Sequence, residues 1–169
     1  MTPLRADAIL ACLQESDVRY VLIGGLAAIL HGSPQTTFDA DICPAREDAN
    51  LENLAAALRH MNARIRTPDA VEGLRFACDA GFLRGVELLN LVTDFGELDI
   101  SFAPAGTGGY EDLIQRAFTL EVKGYRVAVA ALEDIIRSKE AANRPKDQAA
   151  LPLLRELLRE LKRKDAGTG

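Results

Sequence analysis

Tyr20-Val21-Leu22-Ile23-Gly24-Gly25-Leu26-Ala27-Ala28, then His31-Gly32-Ser33-Pro34, then Asp39-Ala40-Asp41-Ile42-Cys43-Pro44, is the stretch on which the fold turns. Residues 20–23 are a short apolar run ending in two glycines, which predicts a buried strand turning directly into a helix over 26–31. Gly32-Ser33-Pro34 stops that helix. From Asp39 to Cys43 polar and apolar residues alternate, so Asp39 and Asp41 fall on one strand face and Ala40 and Ile42 on the other. Pro44 closes the strand.

Outward from this unit, Leu4, Ala8, Ile9, Ala11, Cys12 and Leu13 recur at three-to-four-residue spacing behind Thr2-Pro3, predicting an amphipathic helix over 3–16. Leu51, Leu54, Ala55, Leu58 and Met61 predict another over 48–61, and the strand-to-helix connection suggests an α/β layer. Two strand-like runs, 86–93 and 97–102, surround a turn at Asp94-Phe95-Gly96, and a second hairpin turns at Val122-Lys123-Gly124-Tyr125. A helix over 132–142 ends at Asn143-Arg144-Pro145. A leucine-rich helix over 151–161 follows, with Pro152 in its first turn, and the tail 165–169 is expected to fray. Pro104, Gly106, Gly108 and Gly109 mark a flexible loop between the sheet and the helical C-terminal portion.

Two ionised aspartates about 7 Å apart on one strand face repel by about 2 kcal/mol at an effective dielectric near 20. A divalent metal offsets that, and carboxylates holding Mg²⁺ against substrate phosphates are the usual arrangement in phosphoryl transfer. Alone, an Asp-x-Asp pair also fits a solvated strand end, and Gly24-Gly25 also fits a bare strand-to-helix turn. Their combination carries more information, because residues without Cβ let backbone N–H groups approach a triphosphate. In Leu98-Asp99-Ile100 the apolar neighbours fix the strand face and aim Asp99 the other way, where an adjacent strand brings it beside Asp39. Two-metal transfer needs such a carboxylate near the attacking oxygen. Glu97 shares that face and is the rival, although its place near the turn favours a solvated role. His31 fits either a helix C-terminal cap or a place lining the site, the cap being favoured. By themselves Lys139, Arg144 and Lys146 read as solvated. The basic helix end of Arg155, Arg159, Lys162, Arg163 and Lys164 could touch RNA, but the interleaved Glu156 and Glu160 favour a solvated face.

These residues, with Thr36-Thr37-Phe38, Thr93, Gly96, Leu132-Glu133-Asp134-Ile135-Ile136, Lys139 and Arg144-Pro145-Lys146-Asp147, resemble the polymerase-β-like nucleotidyltransferase superfamily over residues 18–155. Within it the chain most resembles the AbiEii-type nucleotidyltransferase toxins of toxin–antitoxin and phage-defence systems. The resemblance implies an α/β (α+β) fold, a mixed nucleotidyltransferase-type sheet flanked by helices. It divides the chain into a catalytic core over 1–130 and a C-terminal helical extension over 131–169 packed on it. It implies Asp39 and Asp41 as ligands of two Mg²⁺ ions, or Mn²⁺, with Asp99 as third ligand or base. Gly24 and Gly25 would lie at the triphosphate, and Lys139 would hold phosphate or nucleotide.

Many members carry Gly-Ser where this chain has Gly24-Gly25, so Ser33 or the backbone would have to replace that serine. Phe38 stands where related sequences often carry a polar or charged residue. The implied activity is transfer of a nucleoside monophosphate from a triphosphate such as ATP to an acceptor hydroxyl. The acceptor would be transfer RNA for a toxin paired with a cognate antitoxin, a protein hydroxyl, or a small molecule such as an antibiotic. A noncatalytic antitoxin or binding partner of the same fold is the rival class, and the presence of all three carboxylates weighs against it.

At 169 residues the chain suits one domain, or a catalytic domain with a helical appendage. Its 48% hydrophobic and 27% charged content excludes a disordered chain, and a net charge of −5 argues against a protein that coats nucleic acid. Cys12, Cys43 and Cys78 are odd in number and widely spaced, which indicates neither a disulfide framework nor a zinc site and fits a reducing cytoplasm. Neither an export signal nor a membrane span is legible.

Overall fold

The alternation at Asp39-Ala40-Asp41-Ile42 is realised as a strand whose Ala40 and Ile42 are fully buried while both aspartates stay partly exposed. A computed structural model describes residues 2–167. Along the chain run α1 (Ala6–Glu15), β1 (Tyr20–Ile23), α2 (Gly24–Leu30), β2 (Asp39–Pro44), α3 (Asp48–His60), β3 (Arg64–Thr67), β4 (Ala70–Leu74) and α4 (Ala80–Arg84). They are followed by β5 (Leu88–Thr93), β6 (Gly96–Ser101), α5 (Tyr110–Leu113), β7 (Phe118–Val122), β8 (Tyr125–Val129), α6 (Leu132–Ala142) and α7 (Pro145–Gly167).

The strands form one mixed sheet in the order β4-β3-β5-β6-β2-β1-β8-β7. β2 lies inside it, antiparallel to β1 and parallel to β6. Leu89, Leu91, Leu98, Ile100, Ala40 and Ile42 join one apolar core with Ile9 and Leu13 of α1 and Leu51, Leu54 and Leu58 of α3. Each fully buried leucine or isoleucine contributes roughly 1.5–3 kcal/mol, so this face fixes the register of the strands that carry the polar face opposite. α6 and α7 pack on each other, and their Leu132, Ile135, Leu151 and Leu154 reach the same core. The expected mixed α/β sheet flanked by helices, with a helical C-terminal portion, is therefore present.

Several details differ from the sequence reading. α1 begins at Ala6 rather than residue 3, because the Arg5 N–H donates to the Phe95 carbonyl at 2.8 Å and ties the entering chain to the β5–β6 turn. The hairpin β3–β4 at the sheet edge, with Pro68-Asp69 in its turn, was not foreseen. The last helix starts at Pro145 instead of residue 151, since proline in a first turn gives up an N–H that has no partner in the helix anyway. Pro152 thus lies inside the helix, where an apolar face running through Ala150, Leu151 and Leu154 anchors both sides of it. Residues 165–167 of the expected frayed tail are helical; Met1, Thr168 and Gly169 lie outside the described residues.

Candidate functional site

Register brings the acids together. β2 pairs with β6 so that Asp41 is opposite Asp99 and Asp39 opposite Glu97, while Asn90 of β5 is opposite Asp99 on the other side. Asp39, Asp41 and Asp99 each offer a carboxylate oxygen within 4.8 Å of the others. Thr37 Oγ1 donates to Asp39 Oδ1 at 3.0 Å and orients that carboxylate.

Burial raises Asp41 from the usual carboxylate range to about 7; the charges of Asp39 and Asp99 add to the rise, and those of Lys146 and Lys139 oppose it. Burial likewise raises Asp99, to about 6, against the pull of Arg66 and with a further push from Asp39 and Glu97. An all-oxygen donor set with no histidine or cysteine suits a hard divalent ion such as Mg²⁺ or Mn²⁺. The mutual repulsion of the three acids is what such an ion would relieve.

Gly24, at the β1–α2 junction, has φ +69°, and a Cβ built there would lie 2.4 Å from Asp41 Oδ2. Glycine is therefore required twice at position 24, for its backbone conformation and for the space the Asp41 carboxylate occupies. A Cβ on Gly25 would meet Thr37 Oγ1 at 3.0 Å. The Thr37 hydroxyl thus stands in the space that a serine side chain at position 25 would enter.

A cavity of about 510 Å³ runs from Ile23, Gly24, Asp41 and Asp99 to Ser138, Lys139, Arg144 and Lys146. Lys139 and Asp41, 98 positions apart by the numbering, thereby line one space. Lys139 Nζ is 3.6 Å from Asp147, and Arg144 donates to the same carboxylate at 2.7 and 3.2 Å. Asp39, Gly25 and Ser33 are not among the residues lining this cavity. Ser33 is 6% exposed, and its Oγ accepts the Gln35 N–H at 3.4 Å.

Other polar residues found partners that sequence alone did not show. His31 is the C-cap of α2, but its ring Nε2 donates to the Ala130 carbonyl at 2.8 Å and the ring packs edge-on against Phe118. Glu97 is not simply solvated: Arg66 of β3 donates to it at 2.5 Å and to both Asp99 oxygens at 3.1 and 3.3 Å. Arg66 is the site residue that sequence reasoning missed. The signal was present, since Arg64-Ile65-Arg66 alternates as Asp39-Ala40-Asp41 does and Pro68-Asp69 follows as a turn. Phe38, next to Asp39, is 76% exposed.

No family model matches the chain. No curated protein matches it either. Among solved structures, it is similar to the antibiotic-resistance factor ANT(2'')-Ia, with 17% identity, a TM-score of 0.53, and coverage of 96% of this chain and 91% of that one. A protein from Thermotoga maritima assigned to the nucleotidyltransferases aligns with 19% identity and a TM-score of 0.49, over 100% of this chain and 98% of its own. At this identity the likeness to ANT(2'')-Ia establishes a shared fold.

Proposed function

We propose that the protein is a Mg²⁺-dependent nucleotidyltransferase that moves a nucleoside monophosphate from a nucleoside triphosphate to an acceptor hydroxyl. The observation that carries this is the meeting of Asp39, Asp41 and Asp99 within 4.8 Å, beside a glycine that leaves room for Asp41. Asp39 and Asp41 would hold the cations, two by the resemblance, and Asp99 would complete the set on the acceptor side. When bound, the ions supply Lewis-acid stabilisation of the charge that builds on the phosphoryl oxygens. Lys139, with Arg144 and Lys146 nearby, lends positive charge to the cavity wall that faces the triphosphate. Gly24 and Gly25 offer backbone unencumbered by side chains, and the Thr37 hydroxyl stands beside Gly25. The acceptor oxygen forms a bond to the α-phosphorus, the bond to the bridging oxygen of the β-phosphate breaks, pyrophosphate leaves, and the hydroxyl proton passes to the Asp99 carboxylate.

For the acceptor, the family resemblance supports a toxin acting on transfer RNA and held by a cognate antitoxin. A second reading, a small-molecule hydroxyl, is supported by three observations. The cavity beside the acids is of small-molecule size, about 510 Å³. Three of the five C-terminal basic residues are engaged with acids nearby, Arg155 with Glu140 and both Arg159 and Arg163 with Glu156. The fold is shared with an antibiotic-resistance factor.

Incubation with α-³²P-labelled triphosphates, Mg²⁺, and either total RNA or a panel of hydroxylated antibiotics tests the activity and its acceptor together. Transfer of label by the wild type and its loss in Asp39→Ala and Asp41→Ala is the expected outcome; equal labelling by all three proteins would refute the assignment. If RNA is the acceptor, transfer weakens steeply as salt rises, because phosphate contacts release counterions.

A further inference from the structure

Arg66 stands where two cavities on the same sheet face meet. It lines the 510 Å³ cavity of Asp41, Asp99 and Lys139, and also a second of about 560 Å³ bounded by Arg64, Thr67, Glu72, Val92 and Glu97. Its guanidinium is divided between two acids, Nη1 on Glu97 at 2.5 Å and Nη2 on both Asp99 oxygens at 3.1 and 3.3 Å. A carboxylate whose two oxygens both face a guanidinium has fewer lone pairs free for another cation. The pair is not sealed, because the Arg66 side chain is 29% exposed against 16% for Asp99, and Glu97 gives the guanidinium a second anchor on the same strand.

We propose that Arg66 is a displaceable counter-ion of Asp99. In the cation-free protein it holds the third carboxylate in place; when a divalent cation binds the acids, Arg66 gives up Asp99 and keeps Glu97. The inference rests on the nucleotidyl-transfer reading of the same acids. Arg66 acts through Asp99 and is therefore a positioning residue. Its charge and a divalent cation compete for one carboxylate, so removing the arginine strengthens cation binding, whereas a merely structural arginine would weaken it on removal.

The test is calorimetric titration of Mn²⁺ alone into the full chain, as wild type, Arg66→Ala, Arg66→Gln, Arg66→Lys and Asp41→Asn. Wild type binds Mn²⁺ and Asp41→Asn loses that binding. Arg66→Ala and Arg66→Gln bind it roughly two- to fivefold more tightly, the range expected for losing a partly exposed ion pair. Arg66→Lys falls between, since an ammonium keeps the charge without the two-point fork. If Mn²⁺ binding depends on Asp41 but is unchanged or weaker in both neutral Arg66 variants, the counter-ion role is overturned and nucleotidyl transfer still stands. If neither the wild type nor the Arg66 variants bind Mn²⁺, both are overturned.

Discussion

Asp147 and Asp41 are both acids turned away from bulk water, yet their surroundings push them in opposite directions. The Asp147 side chain is 0% exposed, and burial works to raise its pKa. That effect is outweighed by the Arg144 guanidinium and backbone N–H, both of which donate to it, and by the charge of Lys139, so the group ends below its usual value. Asp41 is raised by its burial and by two further carboxylates, against the opposing charges of Lys146 and Lys139, to about 7. The first acid is neutralised by the fold itself and joins the start of α7 to α6. The second lines the 510 Å³ cavity beside two other carboxylates, where the cations of the fold do not offset the cost of charging it.

Removing Asp147 is the harshest way to test that difference. Asp147→Asn leaves Arg144 and Lys139 without their counter-charge and is expected to destabilise the protein by roughly 2–4 kcal/mol in chemical denaturation. A loss below about 0.5 kcal/mol, the size of an ordinary surface change, would mean that Asp147 is not the compensated acid described here.

A smaller effect of opposite sign is expected at Asp41. A carboxyl whose pKa is raised in the folded state binds protons there that it has lost in the unfolded state, so stability falls as pH rises between the unfolded value near 4 and the folded value of about 7. Without divalent cations, Asp41→Asn should therefore stabilise the protein at pH 8 by about 1–2 kcal/mol and by roughly a third of that at pH 5, where the folded carboxyl is protonated but the unfolded one is already ionised. Melting curves at the two pH values in chelator measure this, and a variant destabilised equally at both would contradict it.

The central acids were legible because two of the strongest sequence signals coincide on them. Alternation at Asp39-Ala40-Asp41 and at Leu98-Asp99-Ile100 fixes which face each side chain takes, and burial of Ala40, Ile42, Leu98 and Ile100 holds that register. Gly24 was legible as a glycine between strand and helix, but the closeness of Asp41 that requires it depends on β1 and β2 being antiparallel neighbours.

The β3–β4 edge was not read, for each strand is short, carries charge, and gives little to the core: Val71 is 83% exposed and Leu74 52%. With that strand missing, Glu97 had no visible partner and passed for a solvated residue. The start of the last helix was misread because Pro145 and Pro152 both look like helix starts; Asp147 decides between them, accepting the Arg144 N–H in the first turn of α7.

Calorimetric titration of a nonhydrolysable nucleoside triphosphate into the wild type and Asp41→Asn, with and without Mg²⁺, is the most direct measurement of whether these acids form a cation-dependent nucleotide site. Binding that requires Mg²⁺ in the wild type and is lost in Asp41→Asn is the predicted result. Binding of equal affinity with or without Mg²⁺, or in both proteins, would contradict it.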